Sequence, residues 1–252
     1  MKQFLKTYWK TLLFFTVMGL FGGFFTGIYL LDSYPAEIVQ EIYAQGINDT
    51  MMGIIGAVQY SGYGLFLGAI GIWLAKRSGL WKDETTTTRK PLTAAIIISV
   101  IGGLCLILPD ILFFGKYSQA IMDSYATKPT IPYLLATVTV GAVVEEVMLR
   151  LFMMSLIAFI LHKLFGRKNE LPSTAILIAA NIVAALLFAA SHLPATFQMM
   201  GNSPLLIFRC FLLNGSFGLA FGWLYRKYGL RYAMIAHGGC HVVSKLIWIL
   251  FI

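Results

Sequence analysis

Charge is scarce in this chain. Only 12% of its 252 residues are Asp, Glu, Lys or Arg, roughly half the ~25% of a soluble domain. Hydrophobic residues make up 58% and mean hydropathy is +0.78. That excludes an ordinary soluble globule and points to an all-α, polytopic transmembrane helix bundle. Cysteine is also rare. Cys105, Cys210 and Cys240 are odd in number, lie in apolar runs and show no paired spacing, so neither a disulfide framework nor a zinc ribbon is indicated. No H-E-x-x-H occurs, which excludes the common zincin helix. There is no internal repeat, which argues against a repeat-built transporter or proton relay. There is no linker either, so residues 1–252 read as one integral membrane domain. The net charge of +8 does not imply nucleic acid, because the basic residues cluster in short loops between apolar runs.

Long apolar runs are what the chain has in quantity. About 20 residues span a bilayer core, and seven runs reach that length, near 11–31, 51–75, 92–114, 132–162, 173–192, 205–225 and 232–252. The basic start (Lys2, Lys6, Lys10) resembles a signal peptide. The run that follows is too long for an h-region and no convincing A-x-A site follows, so an uncleaved first helix is expected. The 32–49 segment carries four acids and no Lys or Arg. Lys76, Arg77, Lys82, Arg89 and Lys90 mark the next loop, with Thr85–Thr88 as a solvated patch. Lys163, Arg167 and Lys168 mark a third, and Arg226, Lys227 and Arg231 the last. Seven spans with a cytoplasmic amino terminus satisfy the positive-inside rule at every loop. A bacterial plasma membrane is the expected location. Gly19, Gly23 and Gly27 recur every four residues, which suits close packing against another helix of the same chain.

The chemistry gathers inside the fourth run. Glu145, Glu146 and Arg150 lie at bilayer depth, where a charge costs roughly 2.5–3.5 kcal/mol on insertion scales and is kept only with partners or beside water. Residues four apart share a helix face, so Glu146 and Arg150 can pair, and Glu145 points elsewhere. The 131–165 run exceeds the bilayer thickness at 1.5 Å per residue, so it must tilt, protrude or break near the charges. His192 ends the fifth run, and His237 and His241 share a face of the seventh. His162 beside Lys163 reads as an interfacial residue. Lys245 extends the His237–His241 stripe and is expected either to neutralise a carboxylate of the fourth helix or to snorkel. Two chemistries fit: general acid–base activation of water by Glu and His with histidine donors to an oxyanion, or a Glu/His-bound metal that acidifies water. Counting residues puts His192 near the outer end of its helix and His237 near the inner end of its own. Their meeting therefore requires a tilt, a low-set helix or a dipping turn.

In order and spacing these residues resemble the CAAX-protease and bacteriocin-processing family of intramembrane proteases. Its E-E-x-x-x-R motif is matched by Glu145 to Arg150, its F-x-x-x-H by Phe188 to His192, and its H-x-x-x-N or H-x-x-x-D in part by His237 to His241. The likeness covers approximately 132–252. His241 replaces the usual Asn or Asp, Leu149 a common aromatic residue, and Leu151 a common Gly. The resemblance implies hydrolysis of a peptide or membrane-protein substrate within the lipid bilayer. Glu145 would be the base helped by His192, His237 and His241 would serve the oxyanion, and Glu146 and Arg150 would position the site. It leaves open a divalent metal such as zinc, with Glu145, His192, His237 and His241 as candidate ligands. The alternative is a non-proteolytic scaffold, such as a bacteriocin-immunity or regulatory protein. In that case Arg150 and Lys245 would neutralise the carboxylates and leave no room for a substrate.

Overall fold

The computed structural model describes residues 2–82, 88–166 and 169–252. Thr85–Thr87 and Arg167–Lys168, placed above in basic loops, lie outside them. The described residues form helices and connections, with no strands. Helix α1 (Lys2–Ser33) is followed by short α2 (Ala36–Ala44). Next come α3 (Asp49–Arg77, with a wide turn at Tyr63–Leu67), α4 (Arg89–Leu112) and short α5 (Gln119–Ser124). The helical segment α6 occupies 131–165. Then come α7 (Thr174–Ser191), short α8 (Leu193–Met200), α9 (Pro204–Tyr228) and α10 (Leu230–Phe251). Six of these are long and apolar enough to cross a membrane. The seventh, α6, carries the buried charges and is built of four helical pieces. The three short helices on the face opposite the basic loops were not apparent from hydropathy.

Local chemistry explains where several helices begin. Asn48, Thr130, Ser173 and Ser203 each accept a hydrogen bond from a backbone N–H in the first turn. Pro204 holds the first helical position after Ser203 and Pro132 the second after Thr130, both in the first turn, where a missing N–H costs nothing. Gly229, at φ 111°, makes the sharp break between α9 and α10. Within α6 the backbone spacing widens over Thr137–Glu145 and Val147–Met154. The irregularity expected near the charges is thus a widening of the helix, a feature common at functional sites.

Helix α6 is the hub. Its Thr137–Glu145 half packs on α1 and α10, and its Val147–Met154 half on α3 and α7. Around it, α1 pairs with α3, α4 with α10, and α7 with α9. Lipid supplies no hydrophobic drive between helices, so close approach through small residues must. The Gly19/Gly23/Gly27 stripe does this within the chain. A Cβ on Gly23 would strike the Gly56 carbonyl, and one on Gly19 or Gly27 the backbone of α3. Side chains such as Leu13, Val17, Ile97 and Leu186 face outward on the bundle, as a lipid-facing surface requires.

Polar contacts tie both ends. On the basic side Tyr8 meets Lys76 at 2.8 Å, and Ser155 meets Tyr225 at 2.8 Å while its carbonyl accepts from Ser78 at 3.1 Å. At the other end Arg209 grips buried Asp110 through Nε, at 2.5 Å, and Nη2, and the Tyr125 hydroxyl donates to the same carboxylate at 2.8 Å. This second buried charge pair was overlooked in the sequence, although Asp110 and Arg209 each stand alone in an apolar stretch.

Two identical substitutions separate packing from helix propensity. Gly23→Ala should lower stability by about 1–3 kcal/mol through overpacking. Gly62→Ala, whose Cβ would meet open space, should be neutral or raise stability by up to about 1 kcal/mol. Melting of both variants in one detergent measures the difference.

Candidate active site

Glu146 and Arg150 form the pair expected from their spacing, with Nε and Oε2 3.3 Å apart and side chains 0% and 1% exposed. The distance is that of an ion pair, but the alignment does not make a hydrogen bond. The guanidinium instead lies over two aromatic faces, Phe188 at 4.5 Å and Phe221 at 5.5 Å, an arrangement that stabilises a desolvated cation by ~2 kcal/mol or more. The other oxygen of Glu146 accepts a 2.9 Å hydrogen bond from Nδ1–H of His237. That bond fixes the ring, leaving Nε2 3.9 Å from Oε2 of Glu145. The side chain of Glu145 is 29% exposed and faces a cavity of about 540 Å³. The two neighbouring carboxylates are therefore divided, one sealed in as a counter-ion and the other open.

Aromatic rings and one glycine set the remaining histidines. His237 stacks on Phe221 at 4.6 Å and on His241 at 5.0 Å. At the end of α7, Nδ1–H of His192 donates to the Phe188 carbonyl at 2.8 Å, leaving Nε2 unengaged by that bond. Phe188 also lies edge-on to both His192, at 4.7 Å, and His237, at 5.9 Å. His241 approaches α6 where Gly141 has no side chain. A Cβ there would sit 3.0 Å from its Nε2. Gly141 and Phe221 were not singled out from the sequence, though Gly141 stands four residues before Glu145 and so shares its helix face.

Glu145, His192, His237 and His241 all line the one cavity, whereas Glu146 and Arg150 stand behind its wall. The apparent mismatch in depth between His192 and His237 resolves in the pairing of α7 with α9. Asn181 donates to the Leu219 carbonyl at 3.1 Å, and Gly218 lies against Ala185. The register puts Ser191 beside residue 212, so the first two turns of α9, about 12 Å, rise beyond His192. Helix α7 stops short of the face and α8 folds over, setting His192 below the surface.

Of the two roles expected for Lys245, pairing with a carboxylate of α6 is not the one seen. Its Nζ lies 3.4 Å from Nδ1 of His241 and over the Tyr133 ring at 4.7 Å, not on a carboxylate of α6. An ammonium can only donate, so this contact makes Nδ1 of His241 the acceptor and leaves its proton on Nε2, beside Gly141. For a metal the donors do not fit as arranged. Among the described residues no three His, Cys, Asp or Glu side chains gather around one point, although the Nδ1–H bonds of His192 and His237 leave each Nε2 free.

Residues 127–243 match the family described as type II CAAX prenyl endopeptidase Rce1-like. The matched segment, a little under half of the chain, contains Glu145, His192, His237 and His241. No curated protein and no solved structure matches the chain.

The division of the two carboxylates has a measurable counterpart. Arg150→Met leaves Glu146 buried without its cation and should cost about 3–5 kcal/mol, the usual effect of breaking a buried pair. Glu145→Gln replaces a group open to the cavity and should shift stability by less than about 1 kcal/mol. Thermal melting in detergent distinguishes them.

Proposed function

From the place of residues 127–243 in the Rce1-like family, we propose that this chain is an intramembrane endopeptidase that cuts a peptide or membrane-protein segment by glutamate-activated water. The observation that carries the reading is the contrast between Glu145 and Glu146. A carboxylate open to a cavity stands beside a histidine that a second, sealed carboxylate holds in orientation. Such an oriented acid–base pair is what water activation needs.

In the proposed reaction Glu145 takes a proton from a water molecule. The water oxygen attacks the carbonyl carbon of the substrate peptide bond. His192 presents Nε2 to the same cavity and orients the water or relays its proton. The negative charge that forms on the carbonyl oxygen is met by Nε2–H of His241, in the space left by Gly141. The protonated Glu145 returns its proton to the leaving amine as the C–N bond breaks. Glu146 and Arg150 are positioning residues. They fix His237 through Nδ1 and keep Nε2 turned towards Glu145, where it can hold a proton.

A scaffold without catalysis would fill this space or neutralise both carboxylates. The cavity volume and the position of Lys245 away from the acids support catalysis instead. His241 offers an Nε2–H donor at that position, as the amide of an Asn would, so the departure from the family pattern is compatible with activity.

Cleavage of short amphipathic and lipidated peptides by the purified protein tests the reading. Glu145→Gln and His192→Ala should each lower the rate by about 10²–10⁴-fold with the fold intact, and a chelator should leave the wild-type rate unchanged. Cleavage that survives both substitutions would remove Glu145 from the mechanism. Loss of cleavage in chelator, restored by added zinc, would replace glutamate catalysis with metal catalysis.

A further inference from the structure

The residues that line the cavity run from the middle of the bundle to one face. Its floor is formed by Glu145, Phe221 and His237, and its wall rises past His241 and Lys245. The rim includes Asp32, Lys128, Met199 and Trp248, from the face where α1 and α10 end and α6 begins. Among the described residues, none from the loops of the opposite face lines it. Towards that opposite face the bundle is filled. Leu151, Met154, Leu224 and Tyr225 are almost wholly buried there, and Ser78, Ser155 and Tyr225 are linked by hydrogen bonds.

The two faces differ sharply in charge. The closed face carries Lys76, Arg77, Lys82, Arg226, Lys227 and Arg231, whereas the segment 32–49 on the open face carries Asp32, Glu37, Glu41 and Asp49 and no Lys or Arg. An excess of Lys and Arg in short loops fixes a membrane protein with those loops in the cytoplasm. The closed face is therefore cytoplasmic and the open face external. We infer that the site takes its substrate from the outer side of the membrane, so that its substrates are peptides or protein segments exposed at the outer surface or already exported. The nature of the substrate rests on the proposed hydrolysis. The side of access does not.

Single cysteines introduced into the full chain decide the matter, with the parent chain, which keeps Cys105, Cys210 and Cys240, as background. Intact expressing cells are treated with a membrane-impermeant maleimide. Thr127→Cys at the rim and Asn214→Cys in the cavity wall should be labelled, and Asn169→Cys in the basic loop only after lysis. Labelling of Asn169→Cys in intact cells, or of Thr127→Cys without Asn214→Cys, would overturn the inference. Sealed vesicles with an impermeant peptide outside provide the functional counterpart. Right-side-out vesicles should cut it at least ~10-fold faster than inverted ones, since a peptide on the wrong side meets no open site. Equal or reversed rates would overturn the inference. A chain that cuts no peptide even in detergent would undo the protease reading, and the labelling would still decide the side of access.

Discussion

One buried carboxylate, Glu146, organises this membrane interior. It faces Arg150 on its own helix and His237 on another, so a single anion joins α6 to α10. Taking that anion and the guanidinium out of water costs several kcal/mol each. The fold meets this cost with an ion pair, one good hydrogen bond and two aromatic faces. Phe188 and Phe221 come from α7 and α9, and both touch the guanidinium and the His237 ring. Four helices thus converge on one charge cluster. The open carboxylate next to it inherits its surroundings from that convergence.

The same arrangement separates support from chemistry. Glu146, Arg150, Phe188 and Phe221 are packed and have few alternative positions, whereas Glu145 and the free edges of the histidines border empty volume. A site needs rigid backing and an accessible front, and here adjacent residues in sequence supply the two. The widening of α6 around Glu145 and Arg150 falls in the same place. It departs from α-helical spacing where the helix has to present groups to four neighbours.

Much of this was legible in the residues. Hydropathy gave the seven spans to within a few residues at most ends, because bilayer thickness fixes run length. Helical spacing gave the Glu146–Arg150 pair, and the glycine stripe on α1 told of a close intrachain partner. The depth of His192 was not legible. It depends on how far α7 slides along α9, and that is set by Asn181 against Gly222 and Ala185 against Gly218, contacts between residues far apart in the sequence. The partner of Lys245 was missed for a related reason. Its stripe on α10 was read correctly, but which side chains of α6 stand opposite depends on the widened turns. Asp110 and Arg209 escaped notice because each looked like an isolated charge near the end of a span, and only the fold brings them together.

The near contact of Gly141 with His241 means that these two positions cannot vary independently. A bulkier imidazole at 241 is accommodated because position 141 gives up its side chain. A chain with a smaller residue at 241 would regain the freedom to carry alanine at 141. The turn that leads into the first motif is thus joined to the last motif by a shared volume, as the two motifs are joined by charge, and a substitution at 141 or 241 is to be judged by the size of what stands across from it.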